Sequence, residues 1–218
     1  MARSAVLAII ALQLWLGEHV AVGPVWLAPA IEALLLVPLS IATAWAQDLA
    51  VKAASDHHWH LIGKRRRAVR ILAVALTAVI TVINSLSLLK VVHQLLGGHA
   101  AANGEALLLD AMKIWTINVI AFALWYWTLD RGGPAARGLT RHTRPDFLFA
   151  QMTLGDPPGS WSPGFVDYLF LAFTNATAFS PTDTLPLSNR AKALMMAQSG
   201  ISLLTIALVA ARAVNILA

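Results

Sequence analysis

Long apolar runs, with few charged positions inside them, set the pattern of this sequence. Residues 71–89 and 193–211 contain no charged side chain, and residues 106–129 carry only Asp110 and Lys113, both in the first two turns. Since about 20 helical residues cross the hydrocarbon core of a bilayer, these runs predict transmembrane helices. We expect about five such spans, near residues 4–22, 28–47, 68–92, 105–129 and 190–215.

Composition narrows the class of protein. Of the 218 residues, 58% are hydrophobic and only 12% are charged, whereas about a quarter of the residues in an average soluble domain are charged. The length predicts a single transmembrane domain over residues 1–218. The sequence has no cysteine, which excludes disulfides, thiolate catalysis and cysteine-ligated metals.

The net charge of +5 comes largely from basic residues between the apolar runs, so it indicates membrane topology rather than a nucleic-acid partner. Lys and Arg are concentrated in residues 52–70 and 130–164, and are absent from residues 18–30 and 91–105. Cytoplasmic connections carry the excess of Lys and Arg. We therefore place the N-terminus and both basic connections in the cytoplasm, with the spans in a bacterial inner membrane.

One apolar segment, residues 165–179, is shorter than the predicted spans, so it either enters the membrane without crossing it or crosses as a sixth span. Fifteen helical residues reach about 22 Å, less than the roughly 30 Å of the hydrocarbon core. The segment lies between a connection rich in Gly and Pro and the irregular residues 180–187, and irregular backbone at membrane depth is tolerated only inside protein or beside a water-filled cavity. The predicted fold is an all-α integral membrane protein, with about five spans and one re-entrant, pore-loop-like helix before the last span.

The stretch from Asp167 to Asp183, followed by the last span, resembles the pore helix, filter and inner helix of potassium channels. In the resemblance, Thr177, Ala178, Phe179, Ser180, Pro181, Thr182 and Asp183 stand where that family has threonine, threonine, valine, glycine, tyrosine, glycine and aspartate. The predicted pore or filter-like residues are Asn175, Thr177, Phe179, Ser180, Pro181, Thr182 and Asp183.

The filter chemistry departs from that family. Both glycines are replaced, by Ser180 and Thr182, and Pro181 fixes the backbone angle φ near −65°. We therefore expect no potassium-selective ladder of carbonyls, but a less selective cation path lined by the hydroxyls of Thr177, Ser180 and Thr182 with a ring of Asp183. Potassium-channel loops enter from outside, whereas the charge count places this loop on the cytoplasmic side.

The C-terminal half, from about residue 125 to residue 215, also resembles a widespread bacterial family of uncharacterised polytopic membrane proteins. The likeness is carried by residues 130–134 (DRGGP), 146–149 (DFLF), 165–168 (FVDY), 173–183 (FTNATAFSPTD) and 211–215 (ARAVN). It implies relatives but no activity.

Four ionisable residues near the outer ends of the predicted spans form a candidate intramembrane charge cluster. They are Glu32, Lys90, Asp110 and Lys113. Charged residues inside spans are rare and often mark ion or substrate pathways, and Asp110 and Lys113 share a helix face at i, i+3 spacing. The alternatives are a transport site or ordinary pairing between helices.

We predict no metal site, no cofactor and no enzymatic activity. The histidines of residues 56–60 (DHHWH) lack the i, i+4 spacing of a helical metal site. The leading hypothesis is a pore-loop channel for small inorganic ions, which requires a cyclic homo-oligomer. The alternatives are a secondary transporter that uses the charge cluster, and a non-transporting membrane scaffold.

Overall fold

A computed structural model describes residues 1–52, 56–96, 104–133, 144–154, 161–178 and 183–217. Six α-helices make up most of it, so the predicted all-α class is confirmed. The helices are α1 (Ala2–Leu14), α2 (Leu27–Lys52), α3 (Asp56–Leu96), α4 (Gly104–Leu129), α5 (Phe165–Thr177) and α6 (Asn189–Leu217). The two strands are β1 (Phe147–Phe149) and β2 (Thr184–Pro186), and single 3-10 turns cover Asp130–Gly132 and Ala150–Thr153.

Three of the described helices are long and apolar enough to cross a membrane. They cover Arg67–Leu95 in α3, Glu105–Gly132 in α4 with its following turn, and Asn189–Ala211 in α6. Two shorter apolar helical stretches, Ala2–Leu14 and Leu27–Ile41, accompany them. The three long helices support an integral membrane protein with transmembrane helices.

Helix α4 lies at the centre of the bundle. It packs against α1, α3, α5 and α6, while α2 packs against α1 and α3. The side chains of Ile114, Phe122, Ala123 and Tyr126 are completely or almost completely buried. The central position explains why α4 carries so few charges outside its first two turns.

Two helix ends differ most from the limits that the apolar pattern predicts, although α2 also continues to Lys52, five residues beyond its predicted end. Helix α1 ends at Leu14 rather than near residue 22, because the connection that follows is held by contacts from other helices, as when the Lys113 ammonium donates to the carbonyl of Trp15 at 2.6 Å. Helix α3 begins at Asp56 rather than near residue 68. Its basic run is made of good helix formers, so the helix continues through it.

A small antiparallel sheet joins parts of the chain that the pattern leaves irregular. Strand β1 pairs with β2 in the register Phe147 to Pro186 and Phe149 to Thr184. The amide of Leu187 extends the pairing by donating to the carbonyl of Asp146 at 2.8 Å. The sheet therefore brings the start of α6 next to the segment that follows α4.

Candidate functional site

Helix α5 runs antiparallel to α4, along about half of the length of α4. Its first residue, Phe165, packs edge-on against Trp127 near the end of α4, and Phe173 packs edge-on against Trp115 near its middle, each with 6.0 Å between ring centroids. Asp167 helps begin the helix, since its carboxylate accepts a hydrogen bond from the amide of Gly164 at 2.7 Å. Thirteen helical residues extend about 20 Å.

The chain returns to the end of the bundle from which α5 starts. The amide of Asp146, just before β1, donates to the Asp130 carboxylate at the end of α4, at 2.8 Å. Strand β2 pairs with β1, and Arg190 in the first turn of α6 lies 3.9 Å from the carboxylate of Asp146. The start of α5, strand β2 and the start of α6 therefore all lie beside the C-terminal end of α4.

Asp130 holds this end together, and we call Asp130, Arg131, Asp146 and Tyr168 the Asp130 cluster. The Asp130 side chain is completely buried. One carboxylate oxygen accepts from the hydroxyl of Tyr168 at 2.5 Å and lies 3.8 Å from Nε of Arg131, and the other accepts the amide of Asp146. A buried carboxylate requires such donors. Removing even a neutral polar group from water without a hydrogen-bond partner costs roughly 2–7 kcal/mol, and an ionised carboxylate costs more.

The backbone after α4 needs glycine to form this cluster. Arg131, Gly132 and Gly133 all have positive φ, at 52°, 80° and 87°. A Cβ on Gly133 would lie 2.6 Å from the carbonyl oxygen of Thr128, so no larger residue fits there. The turn reverses the chain at the end of α4 and places the Arg131 side chain beside Asp130, with its guanidinium 3.1 Å from the sulfur of Met152.

Asn175, one of the predicted pore residues, is 2% exposed and lies inside the packing of α4, α5 and α6. Its amide donates to the carbonyl of Met195 at 3.1 Å and to the Gln198 side-chain oxygen at 2.9 Å. That same Gln198 oxygen accepts from the hydroxyl of Tyr126, and the Gln198 amide donates to the carbonyl of Ala172 at 2.8 Å. The Asn175 amide therefore joins α5 to α6.

The other predicted pore residues divide into two groups. Thr177 is exposed near the end of α5, where its hydroxyl donates to the carbonyl of Phe173 at 2.9 Å, and Asp183 is exposed just before β2. The remaining four lie outside the described residues: Phe179, Ser180, Pro181 and Thr182.

Three of the four residues in the predicted charge cluster contact the α1–α2 connection, residues 15–26. The Asp110 carboxylate lies 2.9 Å from the Lys113 ammonium and 3.3 Å from His19, and it accepts the amide of Gly17 at 3.3 Å. The Lys90 ammonium donates to the carbonyl of Ala21. Apart from the Asp110–Lys113 ion pair, these charged side chains contact residues 15–26 rather than one another.

Glu32 is the fourth member, and it lies apart. Its side chain is completely buried, and one carboxylate oxygen accepts a hydrogen bond from the Gln13 amide at 2.7 Å. The second oxygen, and the side-chain oxygen of Gln13, are buried without a hydrogen-bond partner among the described residues. A void of about 10 Å³ lies beside Gln13 and is also lined by Asn84 and Ser87. Its volume is roughly the space that one water molecule needs.

The sequence contains weak signals for the residues that were not predicted as sites. Asp130 closes an apolar run and is separated by Arg131 from two glycines, and both Asp130 and Tyr168 are among the residues on which the resemblance to a bacterial family is predicted. Gln13 and Gln198 are single amides inside apolar runs, and nothing in their spacing identifies their partners.

The described residues contain no group of three or more His, Cys, Asp or Glu side chains placed to hold a metal ion. The histidines at positions 57, 58 and 60 belong to the first turns of α3, and their side chains lie outside the described residues. No family model, curated protein or solved structure matches this chain. The site must therefore be interpreted from its own chemistry.

Proposed function

We propose that this chain is a membrane protein of five spans in which α5 is a re-entrant helix, and that several copies form a cyclic pore for small cations. The observation that carries the proposal is the path of the chain around α5. The helix starts beside the C-terminal end of α4, reaches the level of Trp115, and is followed by a strand back at the starting end.

The length of α5 is compatible with re-entry, because a helix of about 20 Å does not by itself cross a hydrocarbon core of roughly 30 Å. Helix α1 has the same 13 residues, so the return of the chain after α5, rather than length alone, distinguishes re-entry from crossing. Its buried face, which includes Tyr168, Leu171, Ala172 and Asn175, is hydrogen-bonded to α6 through Gln198 and packs against α4. That bonding would hold the end of the helix at a fixed depth, as a pore loop requires.

Exposed polar groups on both sides of residues 179–182 support conduction. Thr177 and Asp183 are exposed, and neither carboxylate oxygen of Asp183 is committed to an ion pair among the described residues. A ring of carboxylates from symmetry-related copies attracts cations. One copy supplies one loop, so the pore exists only in a closed ring.

Ion flux from proteoliposomes tests this function. We expect K⁺ and Na⁺ flux from the original protein, and a decrease of at least tenfold, about 1.4 kcal/mol in barrier height, for Asp183→Asn. Glu105→Gln removes another exposed carboxylate, at the opposite end of α4, and is the matched control. A strictly monomeric particle in detergent and in nanodiscs would contradict the proposal.

A second candidate is a secondary transporter, favoured by the unpartnered oxygens of Glu32 and Gln13. Intramembrane carboxyl groups often lie on proton or ion pathways. The transporter predicts saturable flux that Glu32→Gln abolishes and Asp183→Asn leaves unchanged. If ions move but neither change affects flux, both residue assignments are wrong; if no ion moves, the scaffold hypothesis replaces both.

A further inference from the structure

A cavity of about 460 Å³ lies among α1, α2, α3 and α4, at the end of the bundle where α1 begins and α4 ends. We call it the N-terminal cavity. Its walls are mostly apolar and include Val6, Leu36, Leu39, Leu76 and Leu124. Its volume falls within the range of about 300–1,000 Å³ that is typical of sites for small molecules and cofactors.

The lining of the N-terminal cavity also includes polar residues and one positively charged side chain. Arg3 lines the cavity, and its guanidinium donates to the carbonyl of Ser40, another lining residue, at 3.3 Å. Thr77 and Thr128 add hydroxyl groups to the wall. Among the described residues of the lining, Arg3 has the only charged side chain.

More basic residues lie on the same part of α3. Val69 belongs to the cavity wall, and Arg70 and the exposed Arg67 lie one and two positions from it, at the same level of α3 but outside the lining. Basic pockets between transmembrane helices on the cytoplasmic side bind anionic lipid headgroups. By the distribution of Lys and Arg, this is also the end of the bundle that we place in the cytoplasm.

We propose that the N-terminal cavity binds an anionic phospholipid, with the headgroup phosphate at Arg3 and an acyl chain along the leucines of α2, α3 and α4. A guanidinium presents a planar set of donors that matches phosphate geometry. The apolar wall matches the acyl chain. An anion without an apolar part would leave most of this wall without a contact. This site is independent of the pore and of Glu32.

Lipid binding can be measured by native mass spectrometry of protein taken from nanodiscs that contain equal amounts of phosphatidylglycerol and phosphatidylcholine with identical acyl chains. We expect phosphatidylglycerol to remain bound in preference to phosphatidylcholine. Arg3→Gln should reduce that preference about fivefold, since a basic residue near anionic lipid contributes about 1 kcal/mol. Lys192→Gln removes an exposed cation from the start of α6 and should change nothing.

A second variant tests the apolar part of the site without touching the charge. Ala73→Phe places a ring into the cavity wall and should lower retention of phosphatidylglycerol, while Val82→Phe, on an exposed position of the same helix, should not. Equal retention of the two lipids, or equal effects of each variant and its control, would overturn the proposal. Displacement of phosphatidylglycerol by an equimolar amount of oleate would overturn the phosphate assignment.

Discussion

Asp130 and Glu32 are both completely buried carboxyl groups, yet their surroundings differ. Asp130 receives a hydroxyl from Tyr168 and an amide from Asp146, and the guanidinium of Arg131 lies nearby. Glu32 receives a single amide from Gln13, and its second oxygen has no hydrogen-bond partner among the described residues. A carboxylate with several donors recovers much of the free energy lost on leaving water, whereas one with a single neutral donor does not.

The comparison suggests different roles for the two groups. Asp130 is explained by the fold, because it ties the segment before β1 and helix α5 to the end of α4. Glu32 is less fully explained by the fold, because one carboxylate oxygen serves a single amide, that of Gln13, and the other has no hydrogen-bond partner among the described residues. Stability measurements on three variants test this distinction.

Replacing Asp130 by Ala should have the largest effect on stability. The change leaves the Tyr168 hydroxyl, the Asp146 amide and Arg131 without their common acceptor, and we expect the free energy of unfolding to fall by about 3 kcal/mol. The apparent melting temperature of the purified protein in detergent would report it. The exposed Asp183→Ala is the control, with a change within about 0.5 kcal/mol; similar values for the two variants would remove the structural role of Asp130.

Tyr168→Phe should have an intermediate effect, since it removes one hydrogen bond to a charged group and keeps the ring. We expect a loss of about 1.5 kcal/mol in the original protein. In the Asp130→Ala background the same change should cost much less, because the acceptor is already missing. Thermal unfolding of the two single variants and the double variant measures this coupling, and full additivity would show that the hydroxyl does not act through Asp130.

Glu32→Gln should have the smallest effect on stability, within about 0.5 kcal/mol. The amide keeps an oxygen for the Gln13 donor and removes the cost of a buried carboxyl with an unpartnered oxygen. The same melting measurement checks it, with Glu105→Gln as the exposed control. A loss as large as that for Asp130→Ala would make Glu32 a structural residue and would remove the observation that favours a transporter.

The apolar pattern predicts three of the five expected membrane helices, since burial in lipid is recorded locally in the sequence; the other two predicted spans correspond to shorter apolar helices. The runs at residues 71–89, 106–129 and 193–211 lie within α3, α4 and α6, the three helices long enough to cross a membrane. The end of α1 is different. It is set by Lys113 and Asp110, which contact the α1–α2 connection from about 95 residues away in sequence, at separations of 98 and 93.

The candidate site is predicted less well, for the same physical reason. The i, i+3 spacing implies that Asp110 and Lys113 are neighbours, and they are 2.9 Å apart. Asp130 and Tyr168 are 38 residues apart, and the strands that bring their surroundings together have three residues each. Strands this short leave almost no periodic signal, and amide partners such as Gln13 and Gln198 depend on how helices are rotated.

The order in which the ribosome makes these parts has a consequence for membrane insertion. Tyr168 is synthesised 38 residues after Asp130, which at about 5–20 residues per second is a delay of roughly 2–8 s. During that time α4 ends in a charged side chain whose hydroxyl partner does not yet exist, so water or the insertion machinery must solvate it. We therefore expect α5 to join the bundle only after α4 has entered the bilayer, which makes assembly of the C-terminal half a late step in biogenesis.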